Sequence, residues 1–367
     1  MNDRLSLRAL NRATLARQLL LRRQALPVAD ALERLVGLQA QATDPPYVAL
    51  WTRLDGFAFA DLDRLLTSRQ VVRAAAMRGT LHLMTARDYG ALRPILQPVF
   101  DRTLLANHGR LLAGLDLDAV AAAACALLTG QPMSYAALGK ALQQRWPDRA
   151  AAALAAAARN HAALVQAPPA LWGDGRPPRM TDAQSWLGRP LATDTAPGPL
   201  VLRYLAAFGP AGIADIRTWC GLTGVAEIVE DLGARVRRFQ GPEGETLFDL
   251  PEAPHPDPET PAPARLLGGF DNLLLSHADR RRLLDERHRA HVATVNGIFH
   301  PTLLIDGRIA GTWKLATDRK AAQVTMTPFA LLAGDARDAL NVEAAGLLAA
   351  AAPGLDPDVR WMAPAVL

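Results

Sequence analysis

The chain has 367 residues, half of them hydrophobic, and only two cysteines. That excludes a disordered tail and predicts about two to four compact units, while Cys125 and Cys220, far apart among small or apolar neighbours, exclude a disulfide framework and a Cys-x-x-Cys metal site. The formal charge of +4 is uneven: residues 1–110 hold sixteen arginines against nine acids, residues 111–260 carry a net −4 and residues 261–367 a net +1, so the basic face is expected at the N-terminal end.

The opening MNDRLSLRALNRATLARQLLLRRQ is basic throughout and lacks an apolar core, so it does not read as a secretory signal; a reducing cytoplasm is expected. The best candidate for a membrane span, the Ala-rich run from Leu115 to Leu128, contains Asp116 and Asp118 and falls short of the roughly 18 apolar residues required. No membrane association is expected, and the chain is expected to be a monomer.

One pattern recurs three times: short helices followed by two extended runs around a turn, which is the pattern of a winged helix. In the first copy, helices at Asn11 to Arg23 and Val28 to Leu38 lead past Asp61 to Leu66 into an extended run from Val71 to Met77. Arg78-Gly79 turns the chain, and Thr80 to Met84 returns. In the second, Ser134 caps a helix from Tyr135 to Gln144, and Asp148 caps an Ala-rich helix reaching Leu164. The wing LVQAPPALWGDGRPPRMT follows, with Gly-Asp-Gly as its hairpin turn.

In the third copy, Leu200 to Phe208, the stretch GPAGIADIRTWCGLT and Val225 to Leu232 form the helices. Val236 to Phe239 and Thr246 to Leu250 form the wing. Residues 251–264, PEAPHPDPETPAPA, are too rich in proline for a helix or a central strand and read as a linker. Beyond them come Arg265 to Leu275 as strand or turn and a helix from Asp279 to His288. A hairpin of Thr302 to Ile305 and Ile309 to Leu315 around Asp306-Gly307 precedes a closing helix from Ala336 to Ala351. The fold class is α+β, with unit boundaries at 1–110, 111–195, 196–255 and 262–367.

Motifs for metal binding, phosphate cradling or serine esterase chemistry are absent from this pattern: the histidines are scattered, His288 and His291 lack a carboxylate cluster, and there is no GxGxxG, GxxxxGK[ST] or GxSxG. No metal and no cofactor are expected. What stands out is GLQAQATD, in which Gln39 and Gln41 follow an apolar helix face. In an extended segment the two carboxamides point the same way, although a polar helix terminus is the plainer account.

Taken in order, GLQAQ, LWTRLDGF, RGTLHLM, GPAGIADIRTWCGLT, LLGGFDNLLLSHADR and NGIFHPTLLIDGRIAGTWK resemble the bacterial winged-helix DNA glycosylases, AlkZ-like and YcaQ-like, from about Leu10 to the C-terminus. The resemblance implies three winged helices in a C-shaped scaffold around a duplex DNA channel, and a Gln-x-Gln or Gln-x-Asp catalytic pair. Gln39-Ala40-Gln41 places this chain with the Gln-x-Gln branch, which is associated with self-resistance or narrow-spectrum repair and not with broad crosslink repair. The implied activity is monofunctional hydrolysis of the N-glycosidic bond of alkylated purines of the N7-alkylguanine type, in double-stranded DNA carrying such bases or crosslinks.

The same resemblance brings in Arg78, His82, Asp271, His277, Arg280, His300 and Arg308 as DNA-facing positions. For these the plainer accounts are a solvated turn for Arg78 and Arg308, a satisfied core histidine for His82, a structural ion pair for Asp271 and Arg280, and a strand-end histidine for His300. Asp44 reads as a helix or turn cap, and Trp51, Trp219 and Trp313 as core anchors. The alternative from another class is a winged-helix regulator or architectural DNA-binding protein that does no chemistry.

Overall fold

A computed structural model describes residues 4–365. Helix α1 (Leu7–Arg17), capped by the Ser6 hydroxyl, precedes the first unit. That unit runs α2 (Val28–Arg34), β1 (Leu38–Gln39), α3 (Pro45–Trp51), α4 (Phe59–Thr67), β2 (Val71–Ala75) and β3 (Leu81–Thr85). β3 pairs with both β1 and β2. Helices α5 (Ala86–Ile95) and α6 (Gln97–Leu112) lead to the second unit, made of α7 (Leu117–Leu128), α8 (Tyr135–Gln143), α9 (Ala151–His161), β4 (Leu164–Gln166) and β5 (Met180–Asp182), with α10 (Ala183–Leu187) after it. The third has α11 (Gly198–Phe208), α12 (Ile213–Cys220), α13 (Val225–Asp231), β6 (Arg237–Gln240) and β7 (Thr246–Asp249).

The three units share one plan: a helix, a first extended position, two helices, and a two-stranded wing whose returning strand pairs with that first position. In the second and third units the first position is a single bridging residue, Met133 opposite Met180 and Ala211 opposite Phe248, and the next helix begins two residues later. In the first unit it is a strand, Leu38 and Gln39 opposite Leu83 and His82, and the chain then crosses Gln41 to Asp44 before α3 starts. Two wings merge: Ala74 of β2 pairs with Val165 of β4, giving one sheet in the order β1-β3-β2-β4-β5. Joining wing edges leaves no open ladder between these units.

The C-terminal region adds β8 (Arg265–Leu267), α14 (Asn272–Leu275), α15 (Arg289–Val292), β9 (Thr302–Ile305), β10 (Arg308–Thr317), β11 (Ala321–Pro328), α16 (Gly334–Ala351) and β12 (Asp356–Trp361). Its five strands order β12-β11-β10-β9-β8, with β12 parallel to β11. Leu266, Leu303, Trp313, Met326 and Leu347 share a core with Leu32, Tyr47, Leu50 and Leu83 of the first unit, so the two ends of the chain bury apolar surface against each other.

Several local expectations change. The helix expected over Asp279 to His288 is a succession of turns with a single 3-10 turn at Glu286–His288. Asp279 and Asp285 each accept the backbone N–H two residues on, from Arg281 and Arg287, and such local bonds compete with helix formation. Asp148 does not cap α9; Ala150 occupies that position without a side-chain bond, whereas Ser134 caps α8 as expected. The second wing is no tight Gly-Asp-Gly hairpin. Its loop folds back onto the first unit and the C-terminal region: the Trp172 ring meets Tyr47 and Phe59 edge-on, and its Nε1–H donates to the Ala351 carbonyl at the end of α16.

The N-terminal charge excess is partly internal. Arg12, Arg17, Arg53 and Arg93 are buried. Arg17 holds Asp249 through two bonds of 2.6 and 2.7 Å, and Arg53 holds Asp271 through two of 2.8 and 2.7 Å. These arginines fasten the N-terminal segment to the third unit and the C-terminal region, and the basic surface is smaller than the segment count suggests. Among the described residues no single helix is long and apolar enough to cross a membrane.

Candidate active site

Gln39 and Gln41 sit where the first unit departs from its two sister units. Residues corresponding to apolar bridge positions elsewhere become a polar strand edge, extended by an irregular stretch. The Ala40 N–H donates to the Leu81 carbonyl (2.7 Å), which puts Gln39 and His82 opposite each other in a pair that exchanges no backbone hydrogen bonds. In antiparallel sheets such pairs bring side chains closest. One carboxamide reaches the β2–β3 connection and the other the first residue of β3: Arg78 Nη2 donates to Gln39 Oε1 (2.6 Å), and the Leu81 N–H donates to Gln41 Oε1 (3.1 Å). Gln39 is buried and Gln41 exposed.

Guanidinium and backbone N–H groups can only donate, so each amide must turn its oxygen to its partner. The amide orientations follow from the network. Arg73 clamps the backbone of the same segment, donating to the Ala40 carbonyl (2.7 Å) and the Gln41 carbonyl (3.0 Å), and is itself held by Gln166 of the second unit (2.7 Å).

Arg78 stands at φ +57°, a left-handed conformation uncommon for a side-chain-bearing residue. Its second guanidinium nitrogen donates to the Trp219 carbonyl in the third unit (2.7 Å). Gly221, at φ +80°, lies so close that an added Cβ would come within 3.5 Å of the Arg78 Cα. Burial pulls the guanidinium pKa down to about 10, and Arg280 pushes in the same direction, so the group is still a cation at neutral pH. The fully buried His82 imidazole is held down at about 3 by desolvation and by Arg78. Its Nδ1–H donates to the Thr80 carbonyl (3.0 Å), and the ring is neutral.

The C-terminal region reaches this site from behind. Asn272 Nδ2 donates to the Gly37 carbonyl (2.8 Å), fixing the turn that launches β1. Gly268 passes the start of α3 so closely that an added Cβ would lie 2.9 Å from the Pro45 carbonyl oxygen. Asp44 accepts from the Gly173 N–H (3.0 Å) in the second wing and makes no side-chain bond to its own helix; burial raises its pKa. The expected capping role is thus replaced by a tie between units.

The structure brings Gln39, Gln41, Arg78 and His82 together, with Arg280 close enough for its charge to act on Arg78. It corrects four DNA-facing expectations, the first being His82, which is enclosed and neutral. Arg78 spends its guanidinium on Gln39 and Trp219. Asp271 is enclosed by Arg53, and His277 is fully buried with its Nε2–H donating to the Phe208 carbonyl (3.0 Å). Both acidic and imidazole groups are consumed inside the fold. Arg280 donates to the Leu274 carbonyl (2.7 Å) and lies over the Phe299 ring.

His300 is half-buried beside Phe299, whose carbonyl faces Gly269. Arg308 is exposed, but its hairpin turn does not project: Asn11 Nδ2 donates to the Gly307 carbonyl (2.7 Å), docking the turn on α1. Arg73, Gln166 and Asn272 were not singled out in the sequence. The available signal was the polar residue in otherwise apolar strands, VVRAA and LVQ, and the Asn in LLGGFDN.

Comparison with known proteins bears on this arrangement. Residues 32–350 match the family model described as DNA glycosylase AlkZ-like. An interstrand DNA cross-link repair glycosylase of Streptomyces sahachiroi is 26% identical over 345 residues, covering 85% of this chain and 88% of that protein. The solved structure of the Streptomyces sahachiroi DNA glycosylase AlkZ superposes with a TM-score of 0.79 at 23% identity, covering 99% of this chain and all of that one. A match across most of the chain, three winged-helix units and an α+β fold shared along the full length place this protein in the AlkZ-like DNA glycosylase family.

Proposed function

We propose that this glycosylase removes N7-alkylated guanine and related cationic purines from duplex DNA, unhooking interstrand crosslinks through the same bond cleavage, with Gln39 and Gln41 as its catalytic pair. The relative's crosslink-repair name supports the substrate class. The observation that carries the assignment is that two carboxamides, on the residues flanking Ala40, have their orientations set by donor-only partners, the Arg78 guanidinium and the Leu81 N–H.

The chemistry suits amides. Alkylation at N7 makes the base a cationic leaving group, so N9 takes the electron pair of the C1′–N9 bond without a general acid. Water oxygen bonds to C1′, and its proton passes to solvent, leaving neutral alkylguanine and an abasic site. The requirement is preorganised hydrogen bonding around an electron-poor sugar and its water. A glutamine cannot take a proton near neutral pH, which restricts hydrolysis to labile glycosidic bonds. No lysine lies near Gln39 in sequence to form a Schiff base, so backbone cleavage by lyase chemistry is not expected.

Gln39→Ala and Gln41→Ala should each slow single-turnover release of N7-methylguanine by at least about tenfold, the scale for loss of a preorganised polar group, with little change in DNA affinity. Unmodified guanine should be retained. If both variants release base as fast as the parent, the pair is not catalytic. Placement of the gene beside genes for making a DNA-alkylating natural product would favour self-resistance over general repair.

A further inference from the structure

We propose that Arg78 is a positioning residue that locks the Gln39 carboxamide with its Nε2 hydrogens outward, so that Gln39 acts as a hydrogen-bond donor to the departing purine while Gln41 supplies the acceptor. This rests on the reading of Gln39 and Gln41 as the catalytic pair. The argument starts from what each amide can still do once its protein bond is made.

Gln39 Oε1 faces Arg78, which lies between it and the third unit, and the guanidinium is anchored on its other side by the Trp219 carbonyl. Rotating the amide by 180° would set its NH2 against a cation that has no acceptor. The oxygen is therefore committed inward. Among the described residues no acceptor takes the Gln39 Nε2 hydrogens, and this nitrogen is not one of the enclosed, unpartnered atoms. A donor thus faces outward, and the bond from a cation to its carbonyl strengthens it, as charge-assisted bonds polarise their neighbours.

Gln41 differs. Its oxygen accepts one neutral N–H, from Leu81, and an amide oxygen has two lone pairs, so an acceptor position remains on an exposed side chain. A donor suits the purine, whose ring gains the electron pair of the breaking bond. An acceptor suits the water, whose hydrogens must be held. Arg78 itself, lodged between Gln39 and Trp219, contacts neither water nor base in this role.

The test compares acid substitutions at the two glutamines and a cycle through Arg78, using single-turnover release of N7-methylguanine from a methylated duplex, DNA affinity by anisotropy and thermal unfolding as a fold control. Gln39→Glu removes the outward donor while giving Arg78 a carboxylate to hold; it should be as slow as Gln39→Ala, at least tenfold below the parent, and melt no lower than it. Gln41→Glu keeps an acceptor and should be at least several-fold faster than Gln41→Ala, whereas Gln39→Glu should gain nothing over Gln39→Ala.

Arg78→Ala should lose at least tenfold in rate at nearly unchanged affinity, Arg78→Lys should recover part of it, and Arg78→Ala combined with Gln39→Ala should be no slower than Gln39→Ala alone. Parent-like release by Gln39→Glu, or an Arg78→Ala loss that multiplies undiminished in the Gln39→Ala background, overturns the proposal. The glutamine arms decide it even where Arg78→Ala fails to fold. Parent-like rates for both Gln39→Ala and Gln41→Ala would instead remove the catalytic pair itself.

Discussion

At the scale of single residues, the molecule keeps its imidazoles neutral where they are enclosed. His82 and His277 are both fully buried, and desolvation, reinforced by Arg78 and Arg282 respectively, holds each near 3 against 6.5 for a free imidazole. Below about pH 6.5 the unfolded chain takes up protons at these positions that the folded chain refuses. Stability is therefore fully present above that value and declines as pH falls towards 3, with a slope of up to about 1.4 kcal/mol per pH unit for each group. Urea unfolding of the parent should show a lower midpoint at pH 5 than at pH 7, and His277→Gln should show a smaller difference. An identical drop in the variant would mean that His277 is not one of the groups responsible. The same burial makes His82 a poor proton carrier near neutral pH, and it is better understood as the neutral floor under Gln39.

At the scale of elements, the first unit turns a winged-helix position into a polar edge by altering its entry and exit. Entry is set by Gly37 at φ +82°, where an added Cβ would lie 2.9 Å from the Met84 side chain and 3.0 Å from the Leu83 carbonyl oxygen. Neither the left-handed conformation nor the space tolerates a methyl group. Gly37→Ala should lower stability by more than about 1 kcal/mol and slow base release by displacing β1, as read by thermal unfolding and single-turnover kinetics. Unchanged values for both would show that the turn relaxes freely.

Exit is set by the Gln41–Asp44 stretch, clamped by Arg73 and tied at Asp44 to the second wing. Each unit thus contributes to one strand edge: the second through Gln166 and Gly173, the third through the Trp219 carbonyl.

For the whole molecule, buried ion pairs join parts of the chain that lie far apart in sequence. Arg53 and Asp271, both with fully enclosed side chains, connect the end of α3 to the segment that carries Asn272, the residue anchoring the Gly37 turn. Asp271→Ala would leave Arg53 as an unpaired buried cation and should cost about 3–5 kcal/mol, measurable by urea unfolding. A loss below about 1 kcal/mol would mean that solvent or another acceptor reaches Arg53. The C-terminal region is accordingly part of the support for the glutamine strand, and the hairpin at Asp306-Gly307 contributes by docking on α1.

Sequence patterning by itself was enough for the three wings and for most of the helices that precede them, because helical and strand periodicities repeat and Gly or Pro marks most turns, but it did not single out α3, α5 or α6. It also isolated Gln-x-Gln, since two amides after an apolar helix face are conspicuous. The alternation in RGTLHLM could not tell a surface wing from an enclosed one: Leu83 and His82 point to opposite faces and both are buried, because β3 lies between β1 and β2 in a sheet covered on both sides there.

Two strands also escaped notice. β11 alternates buried and half-buried residues that are mostly small or polar, and β12 gains its ladder only from β11. Charge counting could not distinguish a DNA-facing arginine from Arg17 or Arg53, whose partners Asp249 and Asp271 lie more than two hundred positions away. Pairings at that separation are decided by how the units pack, and so is the orientation of Gln39, which depends on a backbone carbonyl of the third unit holding the other side of Arg78.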